Sequence, residues 1–120
     1  MAHILIVDDE YLTVEMLATF LKLIGHDAIE ALSARQAWDR LALETPDAIL
    51  LDIMLPDQNG LEMCKAMREK PELVSVPVII ISATAPPLIK EAKAVGATDY
   101  IAKPINLANL KAALVNAGVK

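Results

Sequence analysis

The sequence predicts an α/β domain built on a five-stranded parallel sheet with helices on both faces. Three observations predict it. Residues 4–7, 48–51 and 78–81 are short, nearly pure runs of β-branched residues and leucine, the pattern of strands covered on both faces. Segments with helical apolar spacing separate these runs, so strand and helix alternate along the chain, which favours a parallel sheet with right-handed crossovers. The chain has 120 residues, 55% of them hydrophobic, enough for one domain to bury roughly two thirds of the surface its unfolded form exposes.

Each element carries its own signal. The run at residues 4–7 is the first strand. Leu17, Phe20, Leu21 and Ile24 follow at i, i+3, i+4 and i+7, and Gly25 stands where a helix would stop in a left-handed turn. Residues 27–31 alternate polar and apolar, as an edge strand does. Ser33 and Gln36 form a capping box ahead of the stripe Ala34, Ala37, Trp38 and Leu41, and this helix should end before Pro46. After the strand at 48–51, residues 60–69 place Met63, Cys64 and Met67 on one side of a helix that Pro71 closes. The strand at 78–81 precedes a shorter helix marked by Leu88, Ala92 and Val95 and ended by Gly96. A weaker strand at 100–102 and a last helix through Leu107, Leu110 and Leu114, begun near Asn106, complete the order. No repeat, low-complexity stretch or linker interrupts it, so residues 1–120 are expected to form a single domain.

Charge and composition narrow the function classes. Eleven basic against 16 acidic residues leave a formal charge of -5, and only four aromatics are present, Tyr11, Phe20, Trp38 and Tyr100. Both facts argue against direct nucleic-acid binding. No apolar run approaches the roughly 18 residues needed to cross a bilayer, and the opening MAHILIVDDE lacks the layout of a signal peptide. The expectation is a soluble cytoplasmic protein with no membrane partner. The single Cys64 has no cysteine to pair with and sits on an apolar stripe, so it reads as core. Trp38 reads as packing. His3 and His26, each without a metal partner in sight, are expected at the surface.

Ligands of open parallel sheets bind outside the carboxyl ends of the strands. After the first strand come Asp8, Asp9 and Glu10; after the third, Asp52; after the fourth, Ser82, Ala83 and Thr84; after the fifth, Lys103 and Pro104. Singly, each has an ordinary explanation: an acidic pair caps a helix, a serine makes a turn, a lysine sits in solvent. Jointly, at the ends of four strands, they point to a site. Carboxylates this close repel unless a cation lies among them, and magnesium prefers their hard oxygens. A lysine and a hydroxyl beside such a cation make a phosphate cradle in which one carboxylate can be the nucleophile, forming an aspartyl phosphate.

These residues identify a resemblance. LIVDDE at 5–10, PDAILLDIMLPDQNGLEM at 46–63, VPVIIISA at 76–83 and GATDYIAKPI at 96–105 together resemble the receiver domain of two-component response regulators, the CheY-like superfamily, over almost the whole chain. The resemblance implies a flavodoxin-like doubly wound (βα)5 fold with strand order 2-1-3-4-5. It implies that Asp52 accepts a phosphoryl group from a phosphohistidine on a sensor histidine kinase or a histidine phosphotransfer protein. Asp8, Asp9, Asp52 and the backbone carbonyl of Met54 would bind magnesium, with manganese as a substitute, and Ser82 and Lys103 would hold the phosphoryl oxygens. Ser82 and Tyr100 would form the switch: the hydroxyl moves to the phosphoryl group, and the ring turns inward. That remodels the face of the fourth helix, fifth strand and fifth helix, where a downstream protein, an output domain or a second copy in a phosphorylation-dependent homodimer would dock. The Lys103–Pro104 bond is a cis candidate in the family, although the sequence alone allows either isomer.

Departures from the family pattern set further expectations. Ser82 to Gly96 is one residue shorter than typical, and Pro86 and Pro87 fall at the entrance to the fourth helix, so that helix should begin late, near Leu88. Met54 and Thr84, two residues past the phosphoacceptor and two past the hydroxyl, occupy positions that tune hydrolysis in the family. Neither is a strong acid or base, so a phosphoryl lifetime longer than that of fast chemotaxis regulators is expected. Pro56 and Gly60 read as loop geometry, the glycine through a positive φ or close packing. The leading expectation is a switch that catalyses only its own phosphorylation and dephosphorylation, with no external substrate and no output domain within the chain. A degenerate receiver is disfavoured by the complete residue set, a flavodoxin-like cofactor binder by the acidic loop after the first strand, and a magnesium phosphatase by Met54 where a second acid is needed.

Overall fold

A computed structural model describes residues 1–119. The chain runs β1 (His3–Val7), α1 (Tyr11–Leu23), β2 (Asp27–Ala31), α2 (Ala34–Leu43), β3 (Ala48–Asp52), α3 (Gly60–Arg68), β4 (Val78–Ser82), α4 (Ile89–Ala94), β5 (Asp99–Ala102) and α5 (Leu107–Asn116). The five strands are parallel in the order β2-β1-β3-β4-β5. The expected α/β class, strand order and helical layers are therefore all present.

The strand runs are apolar throughout because alternate residues feed two cores. Leu5, Val7, Ile49, Leu51, Val78 and Ile80 meet Met63, Cys64 and Met67 on one face of the sheet. Ile4, Ile6, Leu50, Ile79 and Ile81 meet Leu17, Leu21, Leu110 and Leu114 on the other. Every residue of β3 and β4 is buried, whereas β2, at the sheet edge, is mostly half-exposed. Truncating a fully buried leucine such as Leu50 to alanine would cost about 2–5 kcal/mol.

Local chemistry sets the helix boundaries. Gly25 follows α1 at φ +91°, the left-handed turn its position suggested. Ser33 Oγ accepts from Gln36 N at 3.1 Å, while Gln36 Oε1 accepts from Leu32 N at 2.8 Å, one residue upstream of the usual capping-box partner. Asn59 caps α3 by accepting from Leu61 N at 2.7 Å, and Asn106 caps α5 by accepting from Asn109 N at 3.0 Å. The fourth helix does begin late: α4 has six residues, starts after Leu88 and has no side-chain cap. Pro86 and Pro87 lack the N–H a helix needs and disfavour helical geometry in the residues before them, which delays its first turn.

Two expectations need correction. His26 is not a surface residue; it is 6% exposed, and its Nδ1 accepts from Ala2 N at 3.2 Å. The turn at Gly25 tucks the ring beneath the N-terminal residues, a packing that no periodicity reveals. His3 is exposed as expected, but it is the first residue of β1 and not an outlying one.

Candidate functional site

Parallel strands end at one edge, so β1, β3, β4 and β5 bring Asp8, Asp52, Ser82 and Lys103 together although they are far apart in sequence. Asp8 and Asp52 are only 2% and 4% exposed, and Ser82 is fully buried. Asp9 is exposed beside them. One carboxylate oxygen from each of Asp8, Asp9 and Asp52 lies within 4.8 Å of the others. Lys103 reaches into this group from the end of β5, its backbone N–H tied to the Ser82 carbonyl at 2.8 Å. Its ammonium stands 2.8 Å from Asp8 Oδ2, 3.0 Å from Glu10 Oε1 and 3.4 Å from Asp52 Oδ2.

The electrostatics follow from that crowding. Burial raises the Asp52 carboxyl above its ordinary value and the Asp8 charge adds to this; Lys103 and the Met54 N–H, 3.3 Å from Asp52 Oδ1, pull the other way without cancelling it. Burial alone would lower Lys103, but hydrogen bonds to Asp8 and Glu10 and the nearby carboxylate charges outweigh it and hold the ammonium firmly protonated. One cation thus serves three carboxylates, Asp8, Glu10 and Asp52. Asp8 Oδ2 is buried, and Lys103 is its one close cationic partner. Three hard carboxylate oxygens within 4.8 Å of one another, two of them on buried residues, fit a magnesium ion held by Asp8, Asp9 and Asp52.

The remaining candidates fall into a second group. Ser82 Oγ donates to Thr84 Oγ1 at 2.7 Å and accepts from Thr84 N at 3.0 Å. Tyr100 is half-buried against the α3 side of the sheet, and its hydroxyl accepts from Leu88 N, at the start of α4, at 3.1 Å. The Lys103–Pro104 peptide bond is cis. Met54 holds Asp52 through its N–H and leaves its side chain 65% exposed at the site's rim.

Two residues gain partners that the sequence did not specify. Glu10, one residue past the acidic pair, is a direct partner of Lys103. Asp57, in the loop after β3, accepts from Ala34 N and Arg35 N, both at 2.9 Å, and so caps α2 from outside. Those N–H groups, Arg35 first, hold its carboxyl below the usual carboxylate range. A faint signal existed, since α2 has no acidic residue in its own first turn. Gly60 is needed for close packing and not for a positive φ: a Cβ there would strike the Asp52 carbonyl oxygen and lie 2.8 Å from Ile53 Cα. A surface cleft of about 640 Å³ lies beside Trp38, Leu41 and Leu73 and includes none of these site residues.

Comparison with known proteins agrees with this geometry. Residues 4–115 match the family model described as the response regulator receiver domain. The chain is 38% identical over 120 residues to the phosphate regulon transcriptional regulatory protein PhoB of Pseudomonas aeruginosa, covering 96% of this chain and 52% of that protein. It is 36% identical over 110 residues to the transcriptional regulatory protein CrdR of Helicobacter pylori, covering 91% of this chain and 51% of that one. The chain thus spans about half the length of these relatives. Among solved structures, the chemotaxis response regulator CheY4 of Vibrio cholerae superposes with a TM-score of 0.90 at 30% identity, over 98% of both chains. The signal receiver domain of a signal transduction histidine kinase from Syntrophus aciditrophicus does so at 0.91 and 29%, over 100% of this chain and 93% of that one. With its fold, acidic edge and family match in agreement, the chain belongs to the response regulator receiver domains of two-component signalling.

Proposed function

We propose that this domain is a phosphorylation-controlled switch in which Asp52 accepts a phosphoryl group from a phosphohistidine on a sensor histidine kinase or histidine phosphotransfer protein. The observation that carries this reading is the buried Asp52 carboxylate, with Lys103 3.4 Å away and Asp8 beside it at the open edge of the sheet. An Asp52 oxygen attacks phosphorus, the N–P bond of the donor breaks, and the donor imidazole leaves with the electron pair and takes up a proton. Lys103, already protonated and within reach of Asp52, neutralises the phosphoryl oxygens as they arrive. Asp8, Asp9, Asp52 and the Met54 carbonyl would hold magnesium, or manganese in its place. That ion supplies the positive charge which lets the carboxylates and the phosphoryl group share one pocket.

The signal leaves the site through Ser82 and Tyr100. Ser82 donates to a phosphoryl oxygen, Tyr100 turns inward, and the α4-β5-α5 face changes shape. Ile89, exposed on α4, gives that face apolar material for a downstream protein, an output domain or a second copy. The domain would act in the cytoplasm and turn over no external substrate. No helix among the described residues is long and apolar enough to cross a membrane.

The test is incubation with a small acyl phosphate and magnesium, read by intact mass. Wild type should gain one phosphoryl group, and Asp52→Asn or omission of magnesium should abolish the gain. Label retained by the mutant at the wild-type level would remove Asp52 from the reaction. Because Met54 and Thr84 offer no strong acid or base to orient water, the label should outlast seconds; its loss within seconds in magnesium buffer would overturn the expected lifetime.

A further inference from the structure

We infer that Thr84 is a positioning residue whose hydroxyl holds the Ser82 hydroxyl in its resting orientation and competes with the phosphoryl group for the Ser82 proton. This rests on the reading of Asp52 and Ser82 proposed above and adds a regulatory element to it. Ser82 is fully buried, so its hydroxyl needs partners within the protein. A hydroxyl carries a single proton. Here that proton is directed to Thr84 Oγ1 at 2.7 Å, while the Ser82 lone pairs accept from Thr84 N at 3.0 Å. The second bond comes from the backbone and survives any substitution except proline. The first depends wholly on the side chain at position 84. Ser82 therefore cannot donate to a phosphoryl oxygen without releasing Thr84, and the strength of the resting bond sets part of the cost of activation.

Thr84 suits the part. It is half-exposed, so once released its oxygen can accept from water, whereas Ser82 has no solvent to turn to. It lies just before Pro86 and Pro87, in the connection that leads to α4, so the same bond keeps the start of that connection folded back on β4.

The experiment uses the whole chain with magnesium and beryllium fluoride as the phosphoryl probe, alongside acyl-phosphate labelling. Thr84→Val keeps the side-chain volume and deletes the acceptor. It should bind the probe roughly 3- to 10-fold more tightly than wild type, the range expected for removing one competing hydrogen bond. It should also melt lower than wild type without the probe and close that gap with it, because the unpaired Ser82 proton finds a partner only in the bound state. Thr84→Ser should behave as wild type. In a Ser82→Ala background Thr84→Val should leave affinity unchanged. A side chain that merely packs the loop would lower stability in both states and never tighten binding.

Equal or weaker binding by Thr84→Val, or an equal gain in the Ser82→Ala background, overturns the inference. Thr84→Ala, which also lacks the acceptor, serves in its place if the valine variant does not fold. Wild type that neither labels nor binds the probe refutes the proposed function itself. Wild type that does both, with Thr84→Val indistinguishable from it, refutes only the role of Thr84.

Discussion

The loops that leave the two fully buried strands, β3 and β4, are built to opposite specifications. The one between β3 and α3 is fastened at every step. Gly60 N donates to the Ile53 carbonyl at 2.8 Å, Asn59 caps α3, Asp57 grips two N–H groups of α2, and Gln58 accepts from the Trp38 indole at 3.0 Å. The loop between β4 and α4 leads to a six-residue helix with no side-chain cap and a single buried residue, Ala92. Three side-chain hydrogen bonds hold it, two between Ser82 and Thr84 and one from Leu88 N to the Tyr100 hydroxyl. A site that must place a nucleophile needs the first kind of loop; a site that must report what happened there needs the second, whose bonds can be exchanged at little cost.

Gly60→Ala should break this contrast most severely. Its Cβ would meet the main chain of Asp52 and Ile53, which cannot swing away as a side-chain tip could, so a loss on the order of 3 kcal/mol in urea unfolding is expected. If the variant is as stable as wild type, the β3–α3 loop is looser than its hydrogen bonds suggest.

Asp52→Asn should have the opposite sign. A carboxyl whose folded pKa is raised destabilises the fold once it ionises, so stability is lost as pH rises from the unfolded value through the folded one. At neutral pH without divalent cations the variant should therefore melt about 2–5 °C above wild type. Magnesium should narrow the gap by stabilising wild type more than the variant. A variant that melts lower without magnesium would mean that the Lys103 ion pair outweighs the repulsion.

Asp57 is depressed, which reverses the pH argument. Its contribution is fully present above the ordinary carboxylate range and is lost as pH falls through the folded value, below about pH 4. Asp57→Asn should lower stability at neutral pH, less than Gly60→Ala does, and the difference from wild type should close on acidification. A difference independent of pH would refute the charged cap.

Tyr100→Phe should be mildest, near 1 kcal/mol or less, because one hydrogen bond to Leu88 N is lost at the start of a short helix. Hydrogen exchange should quicken in α4 and stay unchanged in α3. Equal quickening in both would mean that the two loops are not independent.

Much of the fold could be read from residues alone because the physics there is local or periodic. Unbroken runs such as 48–51 and 78–81 admit few places other than a covered parallel strand, and Asn106 and Ser33 stand where helices need caps. The acidic edge was legible for a related reason: parallel topology turns strand ends into neighbours, so Asp8, Asp52 and Lys103 could be grouped before any distance was known. They also account for most of the meaning of the -5 charge, since Asp8, Asp9 and Asp52 together contribute three negative charges to one pocket. His26 and Asp57 were not legible in this way. Their partners Ala2 and Ala34 lie 24 and 23 residues away, and a single polar residue has no period to announce such a pairing.

By itself, then, the sequence determined the order of strands and helices, the residues that could carry phosphoryl chemistry and the late start of α4, because apolar periodicity, capping and proline sterics act within a few residues. Only the tertiary structure decided where single hydrogen bonds go. It bound Ser82 to Thr84, set Asp57 on α2 and pressed Gly60 against Asp52, since direction and distance at a few ångströms depend on how whole elements pack and not on which residues are adjacent in the chain.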